Sequence, residues 1–315
     1  MKKTIKYLLA GGVALSLLIL ASCSEDDKSL PKIDGYNNSD EVAAENLLAN
    51  WTFDNTYVED ESGATPLAGA EGTFGTVGFE EGPIGQALKL TAGALRYPNI
   101  AALNTNDAVA NFTVSLWIKV ENNKGTASEG YTILFGLFPD GLTAETVGDF
   151  MWGNILIGAE TAQYPASNGV GDTLRLKGHF VKKNEDGGIN GQDNINVPKG
   201  DAPNGLNAFK HSGEWVHFAA RYNSTTQMFH IFGNGESIGG YNDRSGGSPG
   251  AMRMNVPCSP VFGNGATKDV GFPNNPDQQS WSPMATASID DVRVFNTVLT
   301  DAEITALFNL GSAGR

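Results

Sequence analysis

Cysteine is nearly absent: the 315 residues hold two, Cys23 and Cys258. That excludes a disulfide scaffold and a Cys-rich zinc module. Basic residues are also scarce. Lys and Arg total 21 against 35 Asp and Glu, a net charge of −14, which excludes a broadly basic surface for nucleic acid. Only 18% of residues are charged, and helical periodicity is missing until the C-terminus. The apolar run from Tyr7 to Leu20 is short for a membrane-spanning helix and meets polar residues at once. What the chain has in excess is glycine, 39 residues, beside 40% hydrophobic residues. That balance suits many short strands joined by tight turns around a sizeable core.

The N-terminus reads as an address. Lys2, Lys3 and Lys6 precede the apolar run, and Leu20-Ala21-Ser22-Cys23 closes it. A basic head, a short apolar body and small residues before a cut make a secretory signal peptide over residues 1–22. The closing tetrad resembles the lipobox of bacterial lipoproteins. That resemblance implies cleavage before Cys23 and acylation of its thiol and new amine; a plain signal peptide with an incidental cysteine is the alternative. Ser24-Glu25-Asp26-Asp27-Lys28 resembles the acidic tag that sends lipoproteins of some Gram-negative bacteria to the outer face of the outer membrane. The expectation is a lipid-anchored, surface-exposed protein of the outer membrane. Removing Lys2, Lys3 and Lys6 from a net charge of −14 leaves −17, so membrane contact is expected through the anchor only.

Residues 23–45 are polar, with Pro31, Gly35 and the cluster Asn37-Asn38-Ser39-Asp40, and read as a flexible tether. Residues 46–315 form a single domain, with no comparable linker inside. Its clearest strand is Phe112–Val120, in which Phe112, Val114, Leu116, Ile118 and Val120 alternate with Thr113, Ser115, Trp117 and Lys119. Further strands are expected at Leu47–Phe53, Ala87–Leu90, Tyr131–Leu137, Ile155–Ile157, Leu174–Leu176, Trp215–Tyr222, Met228–Phe232 and Ala287–Phe295. Phe232-Gly-Asn-Gly-Glu236 signals a hairpin. Thr300-Asp-Ala-Glu303 is a capping box before Ile304, Leu307 and Phe308, so one short C-terminal helix is expected. The fold class is therefore all-β, a two-sheet antiparallel sandwich or jelly roll. Lys182–Lys210 and Gly239–Trp281, rich in Gly, Asn and Pro, read as long loops.

Several segments resemble, in order, the laminin-G-like branch of the concanavalin A-like lectin/glucanase superfamily. They are Leu48-Ala-Asn-Trp-Thr-Phe-Asp54 with Ser62-Gly63, Gly82-Pro-Ile-Gly-Gln-Ala-Leu-Lys-Leu90, Phe112-Thr-Val-Ser-Leu-Trp-Ile-Lys119, Trp215-Val-His-Phe-Ala-Ala-Arg-Tyr222, and Ile289-Asp-Asp-Val-Arg-Val-Phe-Asn296 followed by Leu299-Thr-Asp-Ala-Glu-Ile304. The resemblance implies a jelly roll of two antiparallel sheets, one concave. It also implies a calcium (Ca2+) site on Asp54 and Asp290, with Asp60 or backbone carbonyls adding oxygens. Calcium takes six to eight oxygens, so two aspartates are only a start. The same side chains also suit a turn cap and an acceptor for loop amides.

Sugar rings stack their C–H faces on aromatic rings, and their hydroxyls need amide or carboxylate partners. Trp51, Trp117 and Trp215 lie in strand motifs and read as structural. Trp152, in Asp149-Phe-Met-Trp-Gly-Asn154, and Trp281, in Asp277-Gln-Gln-Ser-Trp-Ser282, do not, and Tyr164 and Tyr241 lie in other loop-like segments. These four are the candidate ligand-binding residues; pinning long loops onto the sandwich is their alternative role. Paired catalytic acids alternating along one strand are missing, as are a G-x-S-x-G elbow and an H-E-x-x-H motif. The expected function is non-catalytic capture of polysaccharide or glycoconjugate, alongside surface glycan-utilisation partners. The alternatives are a protein-binding adhesin or envelope assembly component, and a glycan-cleaving enzyme of the same superfold.

Overall fold

The computed structural model describes residues 30–121, 130–143, 145–146, 152–160, 173–183, 189–193, 208–241 and 251–315. Its strands are β1 (Leu47–Trp51), β2 (Thr73–Glu81), β3 (Gln86–Arg96), β4 (Phe112–Lys119), β5 (Tyr131–Pro139), β6 (Ile155–Glu160), β7 (Thr173–Lys183), β8 (Ile189–Asp193), β9 (Ala208–Lys210), β10 (Trp215–Asn223), β11 (Met228–Gly233), β12 (Glu236–Tyr241), β13 (Cys258–Phe262) and β14 (Ala285–Phe295). The helix α1 (Asp301–Ser312) follows. No described helix is long and apolar enough to cross a membrane.

Eleven of the strands run in one antiparallel sheet in the order β12-β11-β10-β4-β14-β3-β13-β5-β6-β7-β8, β1 pairs with β14, β2 with β3 and β9 with β7, and the sheet curls into a sandwich. The turn from one layer to the other runs along β3. Its residues Leu88 to Gly93 pair with β14, whereas Leu95 and Arg96 pair with β13. Register shifts at Phe74/Thr76 and Ala285/Ala287 flank this point. Such bulges bend a strand and raise its twist. Gly75 sits at φ +62° against the Ala92 carbonyl, where a Cβ has no room.

The two halves then pack face to face. Phe180 of β7 meets Tyr222 of β10 at 4.7 Å and Phe229 of β11 at 5.3 Å between ring centroids. Beside them Gly178 leaves the space in which a Cβ would stand 2.8 Å from Phe229 Cζ. The inner core takes the alternate residues Phe112, Val114, Leu116 and Ile118 of β4, as the sequence pattern predicts, with Ile155, Ile157, Leu174 and Leu176 opposite.

Both outer faces are also covered. Trp117, on the outer side of β4, stacks on Phe308 of α1 at 5.8 Å. Helix α1 forms because Thr300 and Glu303 cap it reciprocally: Thr300 Oγ1 accepts from the Glu303 amide at 3.2 Å, and Glu303 Oε2 accepts from the Thr300 amide at 2.7 Å. Ile304, Leu307 and Leu310 close over Phe295 and Phe232. On the other half, Ala266, Val270 and Phe272 cover Ile133, Phe138 and Leu156.

Some expectations change. The polar segment read as tether joins the domain from Lys32. Val42 is buried under α1, and the buried Arg293 donates to Ser39 and Asp40. These polar residues satisfy a buried cation and so are ordered. The long loops hold strands: β8 and β9 lie within 182–210, and β12 ends and β13 lies within 239–281. β13 contains Pro260, a residue that argues against a strand from sequence; here the Pro260 carbonyl accepts from the Tyr97 amide at 2.9 Å. The Asn234-Gly235 turn between β11 and β12 has both residues at positive φ, 51° and 77°, the conformation such hairpins need. Cys258 is a buried free thiol, as a small apolar residue would be.

Candidate functional site

Candidate residues gather in two places among the described residues. The first is a carboxylate pair beside the loop between β2 and β3. Asp54 Oδ1 accepts from the Gln86 amide at 2.6 Å, and Asp290 Oδ2 accepts from the Ile84 amide at 3.1 Å. Gly82 and Gly85 allow this approach, because a Cβ at either would collide with the Asp290 or Asp54 carboxylate. Asp290 is fully buried and its Oδ1 has no hydrogen-bond partner among the described residues. Burial pushes its carboxyl up to about 8 against the opposing Ile84 amide, and the charges of Asp291 and Asp54 add to the rise. Asp60 is used differently: its Oδ2 accepts from the Thr52 amide at 3.1 Å. Among the described residues no cluster of three or more metal-ligating side chains forms.

The second place is an aromatic row on the outer face of the β5–β6–β7 half. Trp152, in the turn before β6, and Trp281, before β14, lie 5.4 Å apart between ring centroids at 36°. Tyr131, opening β5, stacks beyond Trp281 at 6.4 Å and 20°. His179 meets the Trp152 edge at 6.3 Å, and Lys177 Nζ lies 5.3 Å over the Tyr131 ring. The period of two along β7 puts Lys177 and His179 on this face, while Leu176, Gly178 and Phe180 point into the core. Trp152 is 37% exposed, one of two large apolar side chains left open among the described residues.

Distant hydrogen bonds hold the two tryptophans in place. The buried Asn154 donates to the Asn255 carbonyl at 2.9 Å and accepts from the Asn255 amide at 2.8 Å. The Trp281 carbonyl accepts from the Tyr131 amide at 3.1 Å. Asn264 and Gln278 exchange amide hydrogen bonds of 2.7 and 3.0 Å. Asn264, Gln278, Ser282 and the two indoles line a small open cleft, with Ile133, Leu156, Ala266 and Pro276 on its sides.

Of the four aromatic candidates, the structure brings Trp152 and Trp281 together. Tyr164 lies outside the described residues, and Tyr241 ends β12, paired with Phe229. Trp51 and Trp117 are buried structural residues. Trp215 is half-buried beneath Lys119 Nζ, at 5.0 Å, on the rim of a separate polar hollow with Glu80 and Glu81. The sequence reading misses Tyr131, Asn264, Gln278 and Ser282, which meet only through sheet pairing and segment folding.

No protein-family model matches the chain, and no curated protein matches it. Solved structures match its fold at low identity. Domain 4 of AbnA, a GH43 extracellular arabinanase from Geobacillus stearothermophilus solved with arabinotriose, is 17% identical, with a TM-score of 0.46 over 83% of this chain and 98% of that one. The botulinum neurotoxin serotype G binding domain is 12% identical, with a TM-score of 0.49 over 84% of this chain and 50% of that one. The binding domain of botulinum neurotoxin DC, solved with SialylT, is 16% identical, with a TM-score of 0.48 over 86% and 52%. The chain spans about half the length of the toxin binding domains it matches.

Proposed function

We propose that the chain is a non-catalytic carbohydrate-binding module of the laminin-G-like, concanavalin A-like type. It is anchored by lipid at Cys23 on the outer face of the outer membrane, where it captures polysaccharide or glycoconjugate for glycan-utilisation partners. The observation that carries the reading is the meeting of the exposed Trp152 and the half-buried Trp281 as an aromatic platform, with the buried Tyr131 stacked behind as its support. Flat rings flanked by amide and hydroxyl groups suit the apolar faces and polar rim of a sugar ring. The solved complexes with arabinotriose and SialylT are in keeping with that chemistry.

Screening the mature chain against a glycan array tests the proposal. At least one polysaccharide class should bind, and Trp281→Ala should abolish that binding. Failure to bind any glycan, with or without calcium, would overturn it. Release of reducing ends from a polysaccharide panel would overturn the non-catalytic part. Cys23→Ala should move the protein from the membrane to the soluble fraction.

Calcium is proposed at Asp54 and Asp290. Two carboxylates turned toward one glycine-bearing loop, one with a buried unpartnered oxygen, fit a cation that backbone carbonyls would complete. A bound ion would supply charge compensation for the buried Asp290. A ligand that binds only the folded state raises stability, so a chelator should lower Tm; a Tm unmoved by chelator rejects the ion.

A further inference from the structure

The cleft beside the two tryptophans has a feature that stacking alone does not use. Ser282 lines it and is 3% exposed, yet its Oγ has no hydrogen-bond partner among the described residues. The neighbouring polar groups are engaged with one another. Asn264 and Gln278 bond each other, Asn264 also reaches Thr267 Oγ1 at 3.2 Å, and Gln278 donates to the Ser282 carbonyl. Gln279 also lines the cleft and donates to the Asp277 carbonyl at 2.7 Å, and the apolar part of the wall is Ile133, Leu156, Ala266, Pro276 and the two indoles. A buried hydroxyl without a partner costs free energy in the empty protein, and an acceptor atom of a ligand that reached it would recover that cost.

We infer that this cleft receives the acetyl group of an acetylated sugar, as an N-acetyl or O-acetyl substituent. The inference rests on the glycan-binding reading and names the class of glycan. The sugar ring lies on Trp152 and Trp281. The acetyl methyl enters the apolar cleft between Ile133, Leu156 and Ala266, and the acetyl carbonyl accepts from the Ser282 hydroxyl. Each part of the acetyl group then meets a wall of its own kind. A bare sugar hydroxyl placed against Ile133, Leu156 and Ala266 would face carbon and lose its water. An apolar wall beside one unpartnered hydroxyl separates such ligands better than an exposed platform does.

Matched ligands test this on the mature chain by titration calorimetry. Chitotetraose against cellotetraose differs in the acetamido group, and acetylated xylan against the same xylan after alkaline deacetylation differs in the O-acetyl group. The acetylated member of at least one pair should bind about tenfold tighter, since a filled methyl-sized slot discriminates by at least that factor. Ser282→Ala should cut that affinity about three- to tenfold, leave the deacetylated member unaffected, and keep or raise Tm, because it removes an unpaired buried hydroxyl. Equal affinity within both pairs overturns the inference and leaves glycan binding standing. An acetyl preference untouched by Ser282→Ala also overturns it. No binding by any glycan overturns the function reading and this inference with it.

Discussion

The Arg96 guanidinium lies 4.0 Å over the Phe272 ring. Its Nη2 donates to Asp140 at 2.9 Å, and its Nη1 donates to the Gly271 carbonyl at 2.5 Å. One side chain at the end of β3 thus ties the segment before β14 to the end of β5. That segment carries Gln278, Trp281 and Ser282, so the platform depends on a residue that does not touch it. Arg96→Ala should destabilise the protein by about 2 kcal/mol, from the lost cation–π and charge-assisted contacts. It should also weaken glycan binding. Urea denaturation and calorimetry on the same sample read both effects; full affinity in a folded variant would detach the anchor from the site.

Trp152 and Trp51 separate binding from stability. Trp51 is fully buried in the inner core, so Trp51→Ala should cost about 3–5 kcal/mol. Trp152 is 37% exposed, so Trp152→Ala should move the unfolding midpoint far less. It should reduce glycan affinity about tenfold or more, as loss of a central aromatic anchor does. Parallel melts and binding isotherms of the two variants check the contrast.

Glu80 sets part of the acid limit. Burial raises its carboxyl, but contacts from Lys119, Lys89 and Ser288 outweigh burial and hold it at about 2. The folded value lies below the ordinary 4.5. The stabilisation is therefore complete above pH 4.5 and is lost as pH falls from there toward about 2. Glu80→Gln should flatten stability against pH across that window and leave the shape of the neutral range unchanged, as measured by urea midpoints at each pH.

Gly178 fixes how closely the two halves approach. In Gly178→Val the new Cβ would stand 2.8 Å from Phe229 Cζ and 3.1 Å from Ile231 Cδ1. Overpacking of that kind costs about 1–3 kcal/mol, against the small gain of replacing glycine in a strand. Thermal unfolding should show the loss, with binding at the outer-face platform retained.

Much of this was legible before the structure. Alternation along Phe112–Lys119 specifies a strand with one face toward the core, and Thr300 with Glu303 specifies where the helix starts. Both signals are local, since side-chain period and capping act within a few residues. The strands the sequence hid are of another kind. β13 carries a proline inside a Gly- and Asn-rich stretch, and β2 has a half-exposed pattern with no clean alternation. Both form because neighbours supply their pairing partners.

The candidate site divides the same way. Trp152 and Trp281 stood out because they sat outside strand patterns among polar residues, but nothing local says that they touch. Their meeting depends on Asn154 bonding Asn255, 101 residues away, and on the Tyr131 amide donating to the Trp281 carbonyl. The unpartnered Ser282 hydroxyl has no sequence signature, because its environment is assembled from β5, β6 and the segment before β14. By itself, then, the sequence determined an all-β chain with one capped helix and its candidate aromatics, through short-range periodicity and turn chemistry. Only the tertiary structure decided which aromatics form a surface and what lies between them, because long-range pairing and the curl of the sheet set those distances.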